Sequence, residues 1–180
     1  ERLFPLNLSG DQQGCKRADD GSVSVPEGFK SAYDAYCEGG WIGLAVPQEF
    51  GGQGLTYTQH AAIGEYMSSA NLSLMMYPGL TQGAIAAVLV HGTQEQKEKW
   101  LPSMATGEIL GALAMTEPGA GSDLRGIKTT AKKVDGGYLV NGAKTFISSG
   151  KTADIVVTFV NTGEGNRPDA FSLLILEDGM

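Results

Sequence analysis

The spacing of apolar residues changes near residue 109, and this change constrains the fold more than any other feature of the chain. Before that point apolar residues recur every three or four positions, as in amphipathic helices. One such run contains Phe29, Ala32, Tyr33, Tyr36 and Cys37. After that point short apolar runs are separated by turn residues, which is typical of β-strands. The sequence therefore predicts an α+β, multidomain chain with a helical domain over residues 1–108 and a β domain over residues 109–180.

The first domain is predicted to be a portion of an α-helical bundle. A long helix rich in small residues is expected from about residue 58 to residue 76, and a further apolar stripe begins at Leu80 and ends at Gly92. Thr93 then precedes a helical segment with Gln96 in the position that completes a capping box.

The second domain is predicted to be an antiparallel sheet, closed into a barrel or packed as a sandwich. Strands are expected at residues 109–116, 128–134, 138–140, 143–148, 154–160 and 170–176. Asn141 and Gly142 stand between two of these runs, and this dipeptide is the strongest short signal for a β-hairpin.

Charge and composition exclude several classes of function. The formal net charge is -7, which argues against nucleic acid or an anionic membrane as a partner. No apolar run approaches the roughly 18 residues of a membrane span. Cys15 and Cys37 are expected to be free thiols, because their spacing matches no metal or redox motif. His60 and His91 also lack a metal-ligand or catalytic-triad pattern, so no metal site is predicted.

The segment AMTEPGAGSDLRG, residues 114–126, follows a buried strand with very little side-chain bulk. An ordinary turn is one interpretation, because Pro118 and Gly119 form a turn by themselves. A cofactor loop is the other, because residues 119–122 offer backbone N–H groups and a hydroxyl to an anion such as a pyrophosphate. Thr116, at the strand end, would then direct its hydroxyl and amide at the edge of a polar ring.

A second candidate is KTFISSG, residues 144–150. Phe146 and Ser148 stand two positions apart, so both side chains would lie on one face of the predicted strand. An aromatic ring beside a hydroxyl suits a planar heterocycle as a ligand. A core phenylalanine followed by a serine at the strand end fits the same pattern.

Together the two segments resemble the start of the middle domain in the acyl-CoA dehydrogenase family. The resemblance rests on TEPGAGSD followed by the pattern Lys-x-aromatic-Ile-Ser/Thr-x-Gly. HGTQEQKEKWLPSMATGEI is similar to the helix and turn that lead into that domain. The first half most resembles the methylthiopropanoyl-CoA dehydrogenase branch, through PLNLSGDQQGCKR and MMYPGLTQGA among other stretches, whereas the chain from about residue 112 resembles long-chain and generic members.

The resemblance implies an FAD site on the face of the middle-domain sheet. The residues that would line the flavin and its phosphates are Leu113, Ala114, Met115, Thr116, Gly121, Ser122, Phe146, Ile147 and Ser148. Thr116 would bind the pyrimidine edge of the flavin, and Ser122 would also meet the CoA arm of the substrate. Phe146 replaces the tryptophan of many members, and Ser148 replaces a threonine that bonds near the reactive N5.

The reaction implied by the resemblance is FAD-dependent α,β-dehydrogenation of an acyl-CoA thioester to the enoyl-CoA, as in fatty-acid β-oxidation. Electrons would pass to an electron-transfer flavoprotein. In the family the catalytic glutamate lies in a C-terminal helical domain, which these residues lack, as they lack the first helices. The chain is therefore interpreted as an inactive fragment without a catalytic residue. Neither Glu65 nor Glu117 has a partner visible in the sequence that would tune its pKa.

The resemblance further implies a homodimer or homotetramer for the complete protein, in a bacterial cytoplasm or a mitochondrial matrix. Met75, Met76 and Tyr77 are candidates for the wall of the acyl pocket, because methionine-rich walls adapt to varied ligands. Ordinary helix packing explains the same three residues as well.

Two other functions stay open. One is a non-catalytic relative that binds a CoA thioester or a partner, and the other is an acyl-CoA oxidase or flavin-dependent monooxygenase relative. The presence of Gly119, Gly121, Ser122 and Ser148 together favours an enzyme over the non-catalytic relative. These residues do not distinguish a dehydrogenase from an oxidase.

Overall fold

The structure is a computed structural model that describes residues 2–163, 165 and 167–177. In this part of the chain the helices are α1 (Leu6–Gln13), α2 (Phe29–Glu38), α3 (Tyr57–Ala70), α4 (Leu72–His91) and α5 (Gln94–Thr106). A short hairpin of β1 (Lys16–Arg17) and β2 (Val23–Ser24) lies between α1 and α2. The predicted order, with helices before a β part, is confirmed.

Local capping chemistry fixes the starts of two helices. The Thr93 hydroxyl accepts a hydrogen bond from the Gln96 amide at 3.2 Å, and the Gln96 side chain accepts from the Thr93 amide at 2.9 Å. This is the capping box that the sequence predicts before α5. Thr56 and Gln59 form the same arrangement before α3.

The long helix expected over residues 58–76 is instead two helices, α3 and α4. Asn71 lies between them in an extended conformation and caps α4, because its side-chain oxygen accepts from the Leu74 amide at 2.9 Å. This side-chain bond offers the backbone an alternative to continuing the helix, which explains the break.

Helix α4 is the central helix of the fold. By length and composition alone, this helix is long and apolar enough to cross a membrane. Thr81 and Gln82 interrupt the apolar residues of this helix, so no continuous apolar run in it is long enough for a membrane span. Leu74, Ala84 and Val88 of this helix are buried in the fold.

The sheet contains β3 (Gly111–Ala114), β4 (Thr130–Val134), β5 (Gly137–Asn141), β6 (Ile155–Asn161) and β7 (Phe171–Glu177). Strand β6 is central. On one side it pairs with β7 in antiparallel register from Ile155–Glu177 to Asn161–Phe171. On the other side β3 pairs with its first half in parallel, and β4 joins it in parallel through Thr130 and Asn161. Strand β5 completes a hairpin with β4.

The sheet differs from the predicted antiparallel barrel or sandwich in two respects. It is mixed, because β3 and β4 run parallel to β6, and the strands of the described residues form no closed barrel. The cause is the connection over residues 142–154, which returns the chain to the starting end of β3 before β6 begins. There the Leu110 carbonyl accepts from the Asp154 amide at 2.9 Å, which aligns β6 with β3.

The hairpin predicted at Asn141 and Gly142 does not form, and residues 142–154 contain no strand. At Gly142 the backbone packs so closely on Thr129 that a Cβ would lie 2.6 Å from the Thr129 Cα. The chain therefore continues past β4 instead of turning back along β5.

One hydrophobic core spans the helices and the sheet. Its buried members include Ile85 and Leu101 from the helices and Ile155 and Val157 from β6. The helices cover one face of the sheet, and the connection over residues 142–154 borders the opposite face. Of the two cysteines, which are both free as expected, Cys15 is exposed and Cys37 is half-buried.

Candidate functional site

After β3 the chain makes a tight turn that backbone hydrogen bonds close at both ends. The Glu117 amide donates to the Ala120 carbonyl at 2.9 Å, and the Ala120 amide donates to the Glu117 carbonyl at 3.1 Å. Pro118 and Gly119 form the exposed tip, as predicted. A Cβ on Gly119 or Gly121 would meet nothing within 4 Å, so the backbone here borders open space.

Glu117 lies buried beneath this turn. One of its carboxylate oxygens accepts from the Lys128 amide at 2.7 Å. The other accepts from the Thr129 amide at 3.0 Å and from Lys144 Nζ at 2.9 Å. Only 10% of the Lys144 side chain and 6% of the Glu117 side chain are exposed, so this is a buried ion pair.

The environment of Glu117 keeps it ionised. Burial by itself would raise the pKa of the carboxyl, but hydrogen bonds from Thr129, Lys128 and Lys144 outweigh burial and lower the pKa to about 2. A general base needs a pKa near the working pH and a free lone pair directed at the substrate. Glu117 therefore acts as a structural anchor and is unsuited to proton abstraction.

The ion pair joins the two candidate segments. Lys144 Nζ also donates to the Met115 carbonyl at 3.0 Å. The next amide, of Thr145, donates to the Thr116 carbonyl at 3.0 Å. Residues 144–148 consequently run beside the end of β3, although they form no strand with it.

Phe146 and Ser148 do not share a strand face, contrary to the prediction. Phe146 has a φ of 56°, the left-handed region that costs a residue with a bulky side chain about 1–2 kcal/mol. Its side chain is 92% exposed. Ser148 is exposed as well. The predicted core phenylalanine is therefore excluded, and strained, exposed residues of this kind cluster at functional sites.

The other candidate flavin-binding residues differ in how far their side chains are exposed. Leu113 points towards α4, because a Cβ on Gly83 would lie 3.7 Å from its Cδ2. Ala114 is buried in the sheet, so these two would reach a ligand mainly through backbone atoms. Met115, Thr116 and Ile147 are half-buried, and Gly121 and Ser122 are exposed on the loop.

Two cavities flank the connection between β5 and β6. The sheet-face cavity, of about 620 Å³, is lined by Ala114, Val156, Thr158 and Leu176 and by the connection. The hairpin cavity, of about 600 Å³, lies between residues 147–152, the start of α4 and the β1–β2 hairpin. Ile147 lines both cavities, Ser148 lines the hairpin cavity, and Gly121 and Ser122 line neither.

The sequence analysis identified neither the Glu117–Lys144 pair nor the place of the β1–β2 hairpin beside the hairpin cavity. The signal available for the pair was one acid in the first candidate segment and one lysine in the second. No pattern in the sequence, however, connects two charges that are 27 positions apart.

Comparison with known proteins gives a consistent result. Residues 15–108 match the family model described as acyl-CoA dehydrogenase, N-terminal domain, and residues 112–180 match acyl-CoA dehydrogenase, middle domain. The 3-methylmercaptopropionyl-CoA dehydrogenase of Ruegeria pomeroyi is 40% identical over 171 residues, which cover 94% of this chain and 29% of that protein.

Two solved structures are also similar. One is of the electron transferring flavoprotein of Acidaminococcus fermentans, with a TM-score of 0.83, 29% identity, and coverage of 100% of this chain and 44% of that chain. The other is an FAD complex of PigA, with a TM-score of 0.78, 28% identity, and coverage of 83% of this chain and 40% of that chain. The chain thus spans less than half the length of these relatives.

Proposed function

Because the chain belongs to the acyl-CoA dehydrogenase family, we propose that it carries the flavin-binding face of an enzyme that oxidises an acyl-CoA thioester to the enoyl-CoA. The observation that carries this proposal is the pairing of the turn after β3 with residues 144–148 through the buried Glu117–Lys144 ion pair. This pairing brings the two segments that would bind the flavin to one edge of the sheet.

The residues present fit an FAD cofactor, which we propose contacts Leu113, Ala114, Met115, Thr116, Gly121, Ser122, Phe146, Ile147 and Ser148. Bare backbone at Gly119 and Gly121 leaves room for a ligand to approach. Within the described part of the chain, the amides of Gly121 and Ser122 donate to no backbone acceptor. Free amides in a glycine-rich loop suit a diphosphate.

FAD, when bound, would supply the acceptor for the hydride that leaves the β-carbon of the thioester. The chain's own groups have binding and orienting roles. Thr116 would hold the polar edge of the ring, and Ser148 would offer a hydroxyl beside it. Phe146 would cover the ring and exclude water, which strengthens the hydrogen bonds beneath it. Ser122 would serve both the diphosphate and the CoA arm of the substrate.

Removal of the α-proton requires a base that the described residues do not provide. Glu117 has a pKa of about 2 and three donors on its carboxylate. Glu65 lies exposed on α3 and lines neither cavity beside residues 147–152. We therefore propose that these 180 residues bind flavin and thioester without turning the thioester over.

The proposal extends to the electron acceptor, the assembly, the location and the domain boundary. An electron-transfer flavoprotein as the electron acceptor follows from the family resemblance. A homodimer or homotetramer, and a location in a bacterial cytoplasm or a mitochondrial matrix, follow from the family resemblance. We place the boundary between the two domains after residue 108, a choice supported by the end of α5 at Thr106 and the start of β3 at Gly111.

Flavin retention tests the proposed site. The protein would be incubated with FAD and desalted, and its visible spectrum recorded. We expect retained flavin with shifted absorbance. Phe146→Ala and Ser148→Ala should each weaken FAD binding roughly threefold to tenfold, because each removes a contact of about 1 kcal/mol. Ser31→Ala is the matched control, because Ser31 is an exposed serine on α2. This variant should bind FAD as tightly as the unaltered protein does.

The outcomes separate the parts of the proposal. A colourless protein after desalting would contradict the flavin site and favour a non-catalytic relative. Equal retention by Phe146→Ala, Ser148→Ala and the control would mean that flavin binds elsewhere. Bleaching of the bound flavin by an acyl-CoA would show that a base is present after all.

A further inference from the structure

The hairpin cavity has an outer wall made by the β1–β2 hairpin. Val23 and Val25 face the cavity from this wall, and Met76 and Tyr77 face it from α4. Three of these side chains are substantially exposed, at 58% for Val23, 41% for Val25 and 51% for Met76. Apolar side chains exposed on both sides of one cavity form a surface that would gain free energy by contact with an apolar ligand.

The hairpin is bonded at its base and lies close to Lys151 at its tip. At the base the Glu27 amide donates to Gln13 Oε1 at 2.8 Å, and Cys15 Sγ lies 3.8 Å from the Tyr77 hydroxyl. At the tip, a Cβ on Gly21 would lie 3.2 Å from Lys151 Nζ. The wall therefore contacts α4 through Cys15 and lies close to the loop over residues 147–152 at Gly21.

The cavity shares lining residues with the proposed flavin site. Ile147 and Ser148 line it, and both belong to the segment proposed to lie beside the flavin. The reacting carbons of a thioester must lie against the flavin, so the remainder of the acyl group has to extend away from it. The hairpin cavity is the adjoining space with a predominantly apolar lining.

We propose that Val23 and Val25 of the β1–β2 hairpin set the size of the acyl group that the protein accepts. This inference rests on the proposed function. The two valines form the wall opposite Met76, so their volume decides how far an acyl chain can extend. The hairpin thereby acts as a specificity-determining element that lies outside the flavin site itself.

The test is thioester binding to the FAD-loaded protein, measured by titration calorimetry with butanoyl-CoA, octanoyl-CoA and dodecanoyl-CoA. The double variant Val23→Ala, Val25→Ala should raise the affinity for dodecanoyl-CoA relative to butanoyl-CoA by about tenfold, since a single methylene in an apolar pocket is worth roughly tenfold or more. Val23→Trp should lower the same ratio by about tenfold. Val134→Ala is the matched control, because Val134 is 47% exposed on the β4–β5 hairpin and lines neither cavity.

The binding results distinguish the role of the hairpin from the proposed function. Opposite shifts of the ratio in the enlarging and the narrowing variants support the hairpin as the determinant of acyl size. Binding of all three thioesters with a ratio that no variant changes would overturn it and leave the proposed function intact. If the FAD-loaded, unaltered protein binds none of the thioesters, the proposed function fails and this inference fails with it.

Discussion

At the scale of single residues, Glu117 has the largest effect on the site. Its carboxylate holds the amides of Lys128 and Thr129 and the ammonium group of Lys144. A buried ion pair gains little net free energy by itself, because desolvation offsets the attraction. Loss of one partner is costly, however, since the other charge then stays buried without compensation. The pair therefore specifies one arrangement of the two segments.

Glu117→Gln should lower the free energy of unfolding by about 3 kcal/mol at neutral pH, because Lys144 stays buried and loses its counter-charge. The folded pKa of Glu117, about 2, lies below its ordinary value of 4.5. The stability contributed by the carboxylate is thus complete above about pH 4.5 and disappears as the pH falls towards about 2. Urea unfolding measured across this range should show the difference between variant and unaltered protein shrinking as the pH falls.

Two further variants make this measurement specific. Glu65→Gln removes an exposed carboxylate from α3 and should have little effect at any pH. Glu117→Gln combined with Lys144→Met removes both charges and should recover part of the lost stability. A constant difference between Glu117→Gln and the unaltered protein at every pH would show that the carboxylate is not the source of the effect.

At the scale of elements, the contact between α4 and β3 joins the helices to the sheet. The Thr81 hydroxyl accepts from the Gly111 amide at 3.1 Å and lies 3.3 Å from the Gly111 carbonyl. A Cβ on Gly111 would lie 2.8 Å from the Ala84 Cβ and from the Met104 Cε. The glycine is needed here because the side chains of Ala84 and Met104 pack directly against its Cα.

Gly111→Ala should lower the free energy of unfolding by about 1–3 kcal/mol, because the added methyl group overpacks the contact of α4 with β3. Gly64→Ala is the matched control, since Gly64 lies inside α3 with nothing within 4 Å of a Cβ. That substitution should raise the stability by up to about 1 kcal/mol, as alanine favours helix. Equal effects of the two substitutions in chemical denaturation would contradict the close contact.

At the scale of the whole molecule, we expect α4, α5 and β6 to unfold as one cooperative unit, because their buried side chains share one core. Buried side chains of α4, α5 and β6 belong to a single cluster, in which Ala84, Leu101, Met104 and Ile155 have almost no exposed surface. Because neither the helices nor the sheet can bury this surface alone, unfolding one part exposes the other.

Hydrogen exchange should therefore give the same opening free energy for the core amides of α5 and of β6, namely the global free energy of unfolding. The measurement is native-state amide exchange at low denaturant, with the exposed β4–β5 hairpin as the internal control. The amides of the β4–β5 hairpin should exchange through local openings that require less free energy than global unfolding. A difference of more than about 2 kcal/mol between α5 and β6 would show that the two parts unfold separately.

Much of the fold could be predicted from local patterns. Thr93 and Gln96 identify the start of α5, and the change of periodicity near residue 109 separates helices from strands. These signals depend on residues that are close together in the sequence, within one or two helical turns. Predictions failed where distant segments decide the outcome, as at Asn141 and Gly142, where a hairpin signal is overridden by packing on Thr129.

The sequence by itself determined the order of helices and strands, the capped helix starts, the exposed turn at Pro118 and Gly119, and the family resemblance. Only the tertiary structure decided the parallel pairing of β3 with β6, the exposed Phe146 and the buried Glu117–Lys144 pair. The physical reason is the separation along the chain over which each interaction acts. Propensity and capping act between near neighbours, whereas the bond between Lys144 and Glu117 joins residues 27 positions apart, and that between Gly111 and Thr81 residues 30 apart. Such contacts exist only once the packed core has brought their partners together.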